Sequence, residues 1–128
     1  MQHSTVHHQI ASEFINYTNA PIFITGKAGT GKTTFLKGLK KHTKKEMIVV
    51  APTGVAAINA GGVTIHSFFQ LPFAPFMPSP EGKKHLISKM KMNKARRRVL
   101  EELDLLVIDE VSMVRADVLD AMDTILRQ

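Results

Sequence analysis

Three short apolar runs, Ile22-Phe23-Ile24, Met47-Ile48-Val49-Val50 and Leu105-Leu106-Val107-Ile108, constrain the fold most, because none alternates with polar residues. A strand with one wet face alternates, whereas a strand covered on both faces reads as a continuous apolar run. The three runs therefore predict strands of a parallel sheet buried between layers. Helix-like segments precede, separate and follow them: Ile10, Phe14 and Tyr17 fall on one helical face, then Phe35, Leu36 and Leu39, and finally Val118, Leu119, Met122, Ile125 and Leu126. Strands alternating with helices require βαβ crossovers, which places the chain in the α/β class. Gly38 inside the second helix costs about 1 kcal/mol relative to Ala, so that helix relies on packing against the sheet.

The chain has 128 residues, room for one domain of this class and not for two. It has no cysteine, which excludes disulfides, thiolate nucleophiles and Cys-ligated zinc. It also lacks an apolar run of the roughly 20 residues that a bilayer crossing needs, and MQHSTVHHQI contains no apolar core of a signal peptide. A cytoplasmic or otherwise intracellular protein, nucleoid-associated if bacterial, is the expectation. From Leu71 to Gly82 the sequence LPFAPFMPSPEG carries four prolines, and an irregular insertion that excludes helix is expected there, with Phe73 and Phe76 packing onto the body. Beyond it, Met92, Ala95, Val99 and Leu103 recur at helical spacing with Lys94, Arg96, Arg97 and Arg98 largely on the other faces.

Charge is polarised along the chain. Residues 1–100 carry 15 basic and 3 acidic groups, whereas residues 101–128 carry 2 and 8. Thirteen of the 17 basic residues fall within Lys37 to Lys45 and Lys83 to Arg98, which fits either polyanion binding or solvated helix faces.

Directly after the first apolar run comes Gly26-Lys27-Ala28-Gly29-Thr30-Gly31-Lys32-Thr33, a G-x-x-x-x-G-K-[ST] pattern opening a helix. Glycines 26, 29 and 31 permit the backbone to wrap an anion so that successive N–H groups, with those of Ala28, Thr30 and Thr34, point at phosphate oxygens. Lys32 would reach the β- and γ-phosphates, and the Thr33 hydroxyl would ligate Mg²⁺. The third run ends in Asp109-Glu110, at the strand edge where open α/β sheets bind their ligands. There Asp109 would hold Mg²⁺ directly or through water, and Glu110 would orient and deprotonate the water attacking the γ-phosphate. These residues predict an ATP or GTP hydrolase.

Three further strings carry a family resemblance: Ala51-Pro52-Thr53-Gly54-Val55-Ala56-Ala57-Ile58-Asn59, Gly62-Val63-Thr64-Ile65-His66-Ser67-Phe68-Phe69, and Asp109-Glu110-Val111-Ser112-Met113. With them the chain resembles the Pif family of superfamily one DNA helicases, relatives of RecD, over nearly its whole length. The resemblance implies that residues 1–128 form the N-terminal part of a RecA-like, three-layer motor domain of the P-loop NTPase kind. It implies an ATP-dependent helicase or translocase acting in DNA repair, recombination or genome and telomere maintenance. ATP, Mg²⁺ and single-stranded DNA are the implied cofactors and partner.

By the same resemblance, Thr53 and Gly54 lie on the DNA path as backbone contacts, although Thr53 serves equally as a helix N-cap. His66, Ser67 and Phe68 match the next DNA-side segment, where an aromatic ring stacks on a base, against the commoner fate of a buried phenylalanine. Gln9, 17 residues before Gly26, stands near the position of the adenine-reading glutamine. Arg96, Arg97 and Arg98 either meet phosphates or form a solvated face, and Arg115 is expected to pair with Asp117. His3, His7 and His8 have no local partner set for a metal. The chain is expected to be a monomer and to stop before the Gly-Asp-x-x-Gln segment, the second motor domain and the arginines that unwinding requires. A protein-remodelling ATPase is a second reading, which the APTGVAA and TIHSFF strings argue against, and a truncated nucleotide-binding module without turnover is a third, which stays open.

Overall fold

The computed structural model describes residues 6–24, 31–71, 75–89 and 94–127. In chain order the elements are α1 (Val6–Tyr17), α2 (Lys32–His42), β1 (Met47–Ala51), α3 (Gly54–Ala60), β2 (Val63–Thr64), α4 (Ile65–Phe69), α5 (Pro80–Lys89), α6 (Lys94–Glu102), β3 (Leu105–Ile108), a 3₁₀ turn (Val111–Met113) and α7 (Ala116–Leu126). The strands pair in the order β2-β1-β3 and every pairing is parallel, with Val50 opposite both Val63 and Ile108.

Both faces of this sheet are covered, as the continuous apolar runs require. Val50 joins Ile65, Phe69, Leu86, Met122 and Ile125 in one buried cluster, against which Ile48, Leu106 and Ile108 also pack. Strand alternation turns Val49 and Ala51 to the opposite face, and they too are buried. α3 packs on β1, and Ala57 and Ala60 of α3 and Leu39 of α2 are buried. Gly62, at the turn into β2, has no room for a side chain: a Cβ there would stand 2.2 Å from the Val49 carbonyl oxygen.

Several expectations require correction. Ile22, Phe23 and Ile24 do not form a strand: they join no ladder among the described residues, and Phe23 is 73% exposed. A strand exists through its neighbour's hydrogen bonds, and the ladder partner of β3 is β1, not this segment. In α1 the apolar face is turned outward, with Ile10, Phe14 and Tyr17 exposed and Ile15 buried. The docking of α1 explains this. The Thr43 hydroxyl donates to Asn16 Oδ1 (2.7 Å), and Lys45 Nζ donates to the Thr18 carbonyl (2.8 Å), so α1 is held along α2 through its Asn16 side.

Helix begins at Pro80, inside the segment expected to exclude it. Pro80 occupies the first helical position, where the missing N–H has no intrahelical partner to lose. Ser79 caps the turn, its hydroxyl accepting from Gly82 N–H at 3.0 Å. Phe76 packs against the core as expected, while Phe73 lies outside the described residues. On α6 it is Leu100 that packs against the core, whereas Ala95 and Val99 are exposed. On α7, Met122 and Ile125 are buried as expected, but Leu119 and Leu126 are exposed. Ala121 and Thr124 take the other inward positions, the Thr124 hydroxyl satisfied by the Asp120 carbonyl at 2.8 Å.

Candidate nucleotide and nucleic-acid site

All three strands are parallel, so their C-terminal ends share one edge, and the loops leaving that edge carry the candidate residues in spatial order. Beyond β2 come His66 and Ser67, beyond β1 come Thr53 and Gly54, and beyond β3 come Asp109 and Glu110. Ile108 lies opposite Val50, and the Asp109 N–H donates to the Val50 carbonyl at 2.9 Å, so Asp109 extends the β1–β3 ladder by one further bond. The backbone of half-buried Asp109 is thereby fixed beside the end of β1.

Glu110 is exposed and has φ 55° and ψ 44°, a left-handed conformation that costs a residue with a Cβ roughly 1–2 kcal/mol. The conformation turns the chain sharply off the strand end into the 3₁₀ turn, where the Met113 N–H donates to the Glu110 carbonyl at 3.0 Å. The sequence does not announce this strain, since glutamate is not among the residues favoured there.

Thr53 is the N-cap of α3: its backbone is extended and its side-chain oxygen accepts from the Ala56 N–H at 3.2 Å. Gly54 follows on open surface, where a Cβ would meet no atom within 4 Å. Thr64 caps α4 in the same way, accepting from the Ser67 N–H at 3.2 Å. That bond commits the Ser67 N–H to the cap, and Ser67 itself is exposed. His66 is half-buried and lines a cavity of about 190 Å³ together with Phe76, His85 and Asp117.

Phe68 does not stand on this edge as a stacking platform. It is 8% exposed, belongs to the main buried cluster and meets Phe69 edge-on at 5.0 Å between ring centroids. A base stacking on Phe68 would have to open the core, so the burial of an apolar ring decides its role.

Of the glycine-rich segment, Gly26, Ala28, Gly29 and Thr30 lie outside the described residues. Gly31 is described, with φ 88° in the left-handed region that glycine enters without penalty, and its carbonyl accepts from Phe35 N–H at 2.8 Å to start α2. Lys32, Thr33 and Thr34 form the exposed first turn of that helix. Gln9 is exposed on α1. Its neighbour His8 packs on Phe35, ring centroids 5.0 Å apart and planes at 33°.

Several other charges pair locally. Arg97 and Arg98 pair with Glu101 and Glu102 one turn along α6, at 3.3 and 3.4 Å, both pairs exposed. Arg115 pairs with Asp117 at 3.1 Å, as expected. Asp117 also accepts from the Phe76 N–H at 3.2 Å, tying the proline-rich segment to α7. That backbone donor, with Arg115 adding to it against the opposing effect of desolvation, holds the Asp117 carboxyl below the usual carboxylate range. Among the described residues no three His, Asp or Glu side chains are grouped to hold a metal, and no helix is long and apolar enough to cross a membrane.

A parallel sheet flanked by helices, with a helix opened by Gly31-Lys32-Thr33 and an acidic pair at a strand end, is the architecture of a RecA-like nucleotide-binding domain. The chain belongs to the PIF1-like helicase family, whose profile matches residues 1–128. It is 40% identical over 147 aligned residues to the ATP-dependent DNA helicase PIF1 of Emericella nidulans, covering 98% of this chain and 19% of that protein. It is 34% identical to the ATP-dependent DNA helicase Pif1 of Campylobacter jejuni, covering 77% of this chain and 23% of that one. Among solved structures it is similar to Bacteroides sp Pif1 in complex with ADP-AlF4, with a TM-score of 0.86 and 44% identity over 99% of this chain and 28% of that chain. Bacteroides Pif1 bound to ssDNA gives a TM-score of 0.83 at 45% identity, over 96% of this chain and 27% of that chain. The chain thus spans about a fifth of the length of these two curated relatives.

Proposed function

We propose that residues 1–128 supply the ATP pocket and part of the single-stranded DNA track of an ATP-driven DNA helicase. The observation that carries this reading is the order of groups along one sheet edge: His66 and Ser67, then Thr53 and Gly54, then Asp109 and Glu110. This order supports coupling of hydrolysis to strand movement, because the candidate nucleic-acid residues Thr53 and Gly54 beyond β1 neighbour the acidic pair beyond β3, with His66 and Ser67 one strand further out.

In this reading residues 26–33 cradle the triphosphate, with Lys32 balancing charge on the β- and γ-phosphates and the positive end of α2 adding to it. The Thr33 hydroxyl and the Asp109 carboxylate are hard oxygen donors of the kind Mg²⁺ takes alongside substrate phosphates and water. When bound, Mg²⁺ neutralises charge on the phosphate oxygens. Glu110, exposed at the left-handed turn that ends the strand, accepts a proton from the attacking water. Gln9 reads the adenine edge through its amide. Gly54 lets a DNA phosphate approach the start of α3, while Thr53 holds that turn in shape and His66 contacts sugar or phosphate. Repair, recombination or genome maintenance, inside the cell, is the setting in which such a motor works.

The test uses the full-length protein. Glu110→Gln should bind ATP and single-stranded DNA normally but lose DNA-stimulated hydrolysis by at least about 100-fold. His66→Ala should weaken single-stranded DNA without changing ATP affinity. Normal turnover in Glu110→Gln, or unchanged DNA affinity in His66→Ala, would remove the corresponding assignment.

A further inference from the structure

Two features of α1 remain unused by this reading: its apolar face points away from the core, and its first turns approach the start of α2. The helix lies alongside α2 in the same direction. Near its C-terminal end Asn16 accepts from Thr43, and Lys45 reaches the Thr18 carbonyl just beyond it. Near its N-terminal end His8 packs on Phe35, and its Cε1 lies 3.4 Å from where a Cβ on Gly31 would stand. Gly31 has φ 88°, so the same residue both turns the chain and leaves the space that the imidazole approaches.

We infer that His8 is a positioning residue for triphosphate binding, which clamps the first turns of α1 onto Gly31 and Phe35 and so fixes the end of the phosphate-binding turn. The inference rests on the reading of residues 26–33 as that turn. Three physical points support it. A left-handed glycine is the most freely moving point of its segment, and an anion site built from backbone N–H groups works only if those groups are held in place. Lys32 and Thr33 follow Gly31 directly, so any rotation at Gly31 moves both. Ring contact with Phe35, one helical turn beyond Gly31, supplies a restraint on the same face of α2 that the glycine cannot supply for itself. His8 also precedes Gln9, so the contact that steadies the phosphate end fixes the start of the helix bearing the proposed base reader.

The role differs from base recognition in a way that can be measured. A residue acting through the phosphate turn affects every ligand that carries a triphosphate, with or without a base. We expect His8→Ala to weaken Mg-ATP and Mg-tripolyphosphate in parallel, by about three- to tenfold, the range an aromatic pair contributes. His8→Phe, which keeps a ring on Phe35, should restore both affinities. Gln9→Ala should weaken ATP while leaving tripolyphosphate unchanged. Phe35→Leu, which retains an apolar side chain but removes the ring partner, should reproduce the parallel loss and add nothing in combination with His8→Ala. It serves as the independent variant if His8→Ala does not fold.

Unchanged affinities in folded His8→Ala, or loss of ATP with tripolyphosphate intact, would overturn the inference. So would failure of His8→Phe to restore binding. Lys32→Ala separates this from the underlying reading: if Lys32→Ala abolishes binding while His8→Ala and Phe35→Leu do nothing, the phosphate turn stands and the clamp does not.

Discussion

Gly38 offers a clean test of how α2 is held. It sits within an eleven-residue helix, and a Cβ built on it meets no atom within 4 Å. Replacement by Ala therefore adds a methyl group without a clash and removes the conformational freedom that glycine gives the unfolded chain. The helix-propensity difference is about 1 kcal/mol, and with no steric term to subtract the whole of it should appear as stability. For a domain of this size that corresponds to a Tm increase of roughly 3–6 °C. With a urea slope near 1.5 kcal/mol/M, the midpoint should rise by about 0.7 M. Urea unfolding followed by circular dichroism measures it, and the slope should stay the same. A lower midpoint in Gly38→Ala would mean that the space around residue 38 is occupied, and would refute the placement of α2 beside α3 with Gly38 facing open space.

Other substitutions have outcomes of different sign. Gly62→Ala should destabilise by about 1–3 kcal/mol in the same urea assay, because its Cβ would stand 2.2 Å from the Val49 carbonyl oxygen and neither group is a flexible side chain; an unchanged midpoint would contradict the close approach of the β2 turn to β1. The depressed Asp117 carboxyl contributes stability that is fully present above the ordinary carboxylate range and is lost as pH falls through its lower folded value. Asp117→Asn should therefore narrow the gap to the parent protein on acidification, as read from unfolding midpoints between about pH 6 and pH 2, and a pH-independent gap would sink this account. Residues 1–128 alone should hydrolyse ATP near background even with single-stranded DNA, since a charge-stabilising arginine expected from elsewhere in the protein is worth about 10³ to 10⁵ in turnover; robust DNA-stimulated release of phosphate would contradict that.

What could be read in advance divides along physical lines. β1 and β3 were legible because strands covered on both faces leave continuous apolar runs, and Thr53 was legible as a cap because its side-chain oxygen acts within three residues. Asp109 and Glu110 followed from the strand they end. The failures come from interactions that are not local. Ile22-Phe23-Ile24 has strand composition, yet strand formation depends on a partner distant in sequence. The inward side of α1 is set by Asn16, Thr43 and Lys45, polar residues whose meeting no helical periodicity reveals. Pro80 punctuates the chain in either direction, ending one element or opening the next, and only the Ser79 cap decides which. Phe68 and Phe69 are indistinguishable by composition from stacking rings, and their burial shows only once α4 is placed on the sheet. The ring contact of His8 with Phe35, and its approach to the space over Gly31, span 27 and 23 residues of sequence and leave no motif at all.

The proposal that this edge binds Mg-ATP through its glycine-rich turn is tested most directly by titrating Mg-ATP into the parent protein and Lys32→Ala, with circular dichroism on both. Lys32 is exposed in the first turn of α2, so its replacement should leave the fold unchanged. The parent should bind Mg-ATP and the variant should lose at least about tenfold in affinity, or roughly 1.4 kcal/mol. Equal affinity in a folded Lys32→Ala protein would remove residues 26–33 from the nucleotide site.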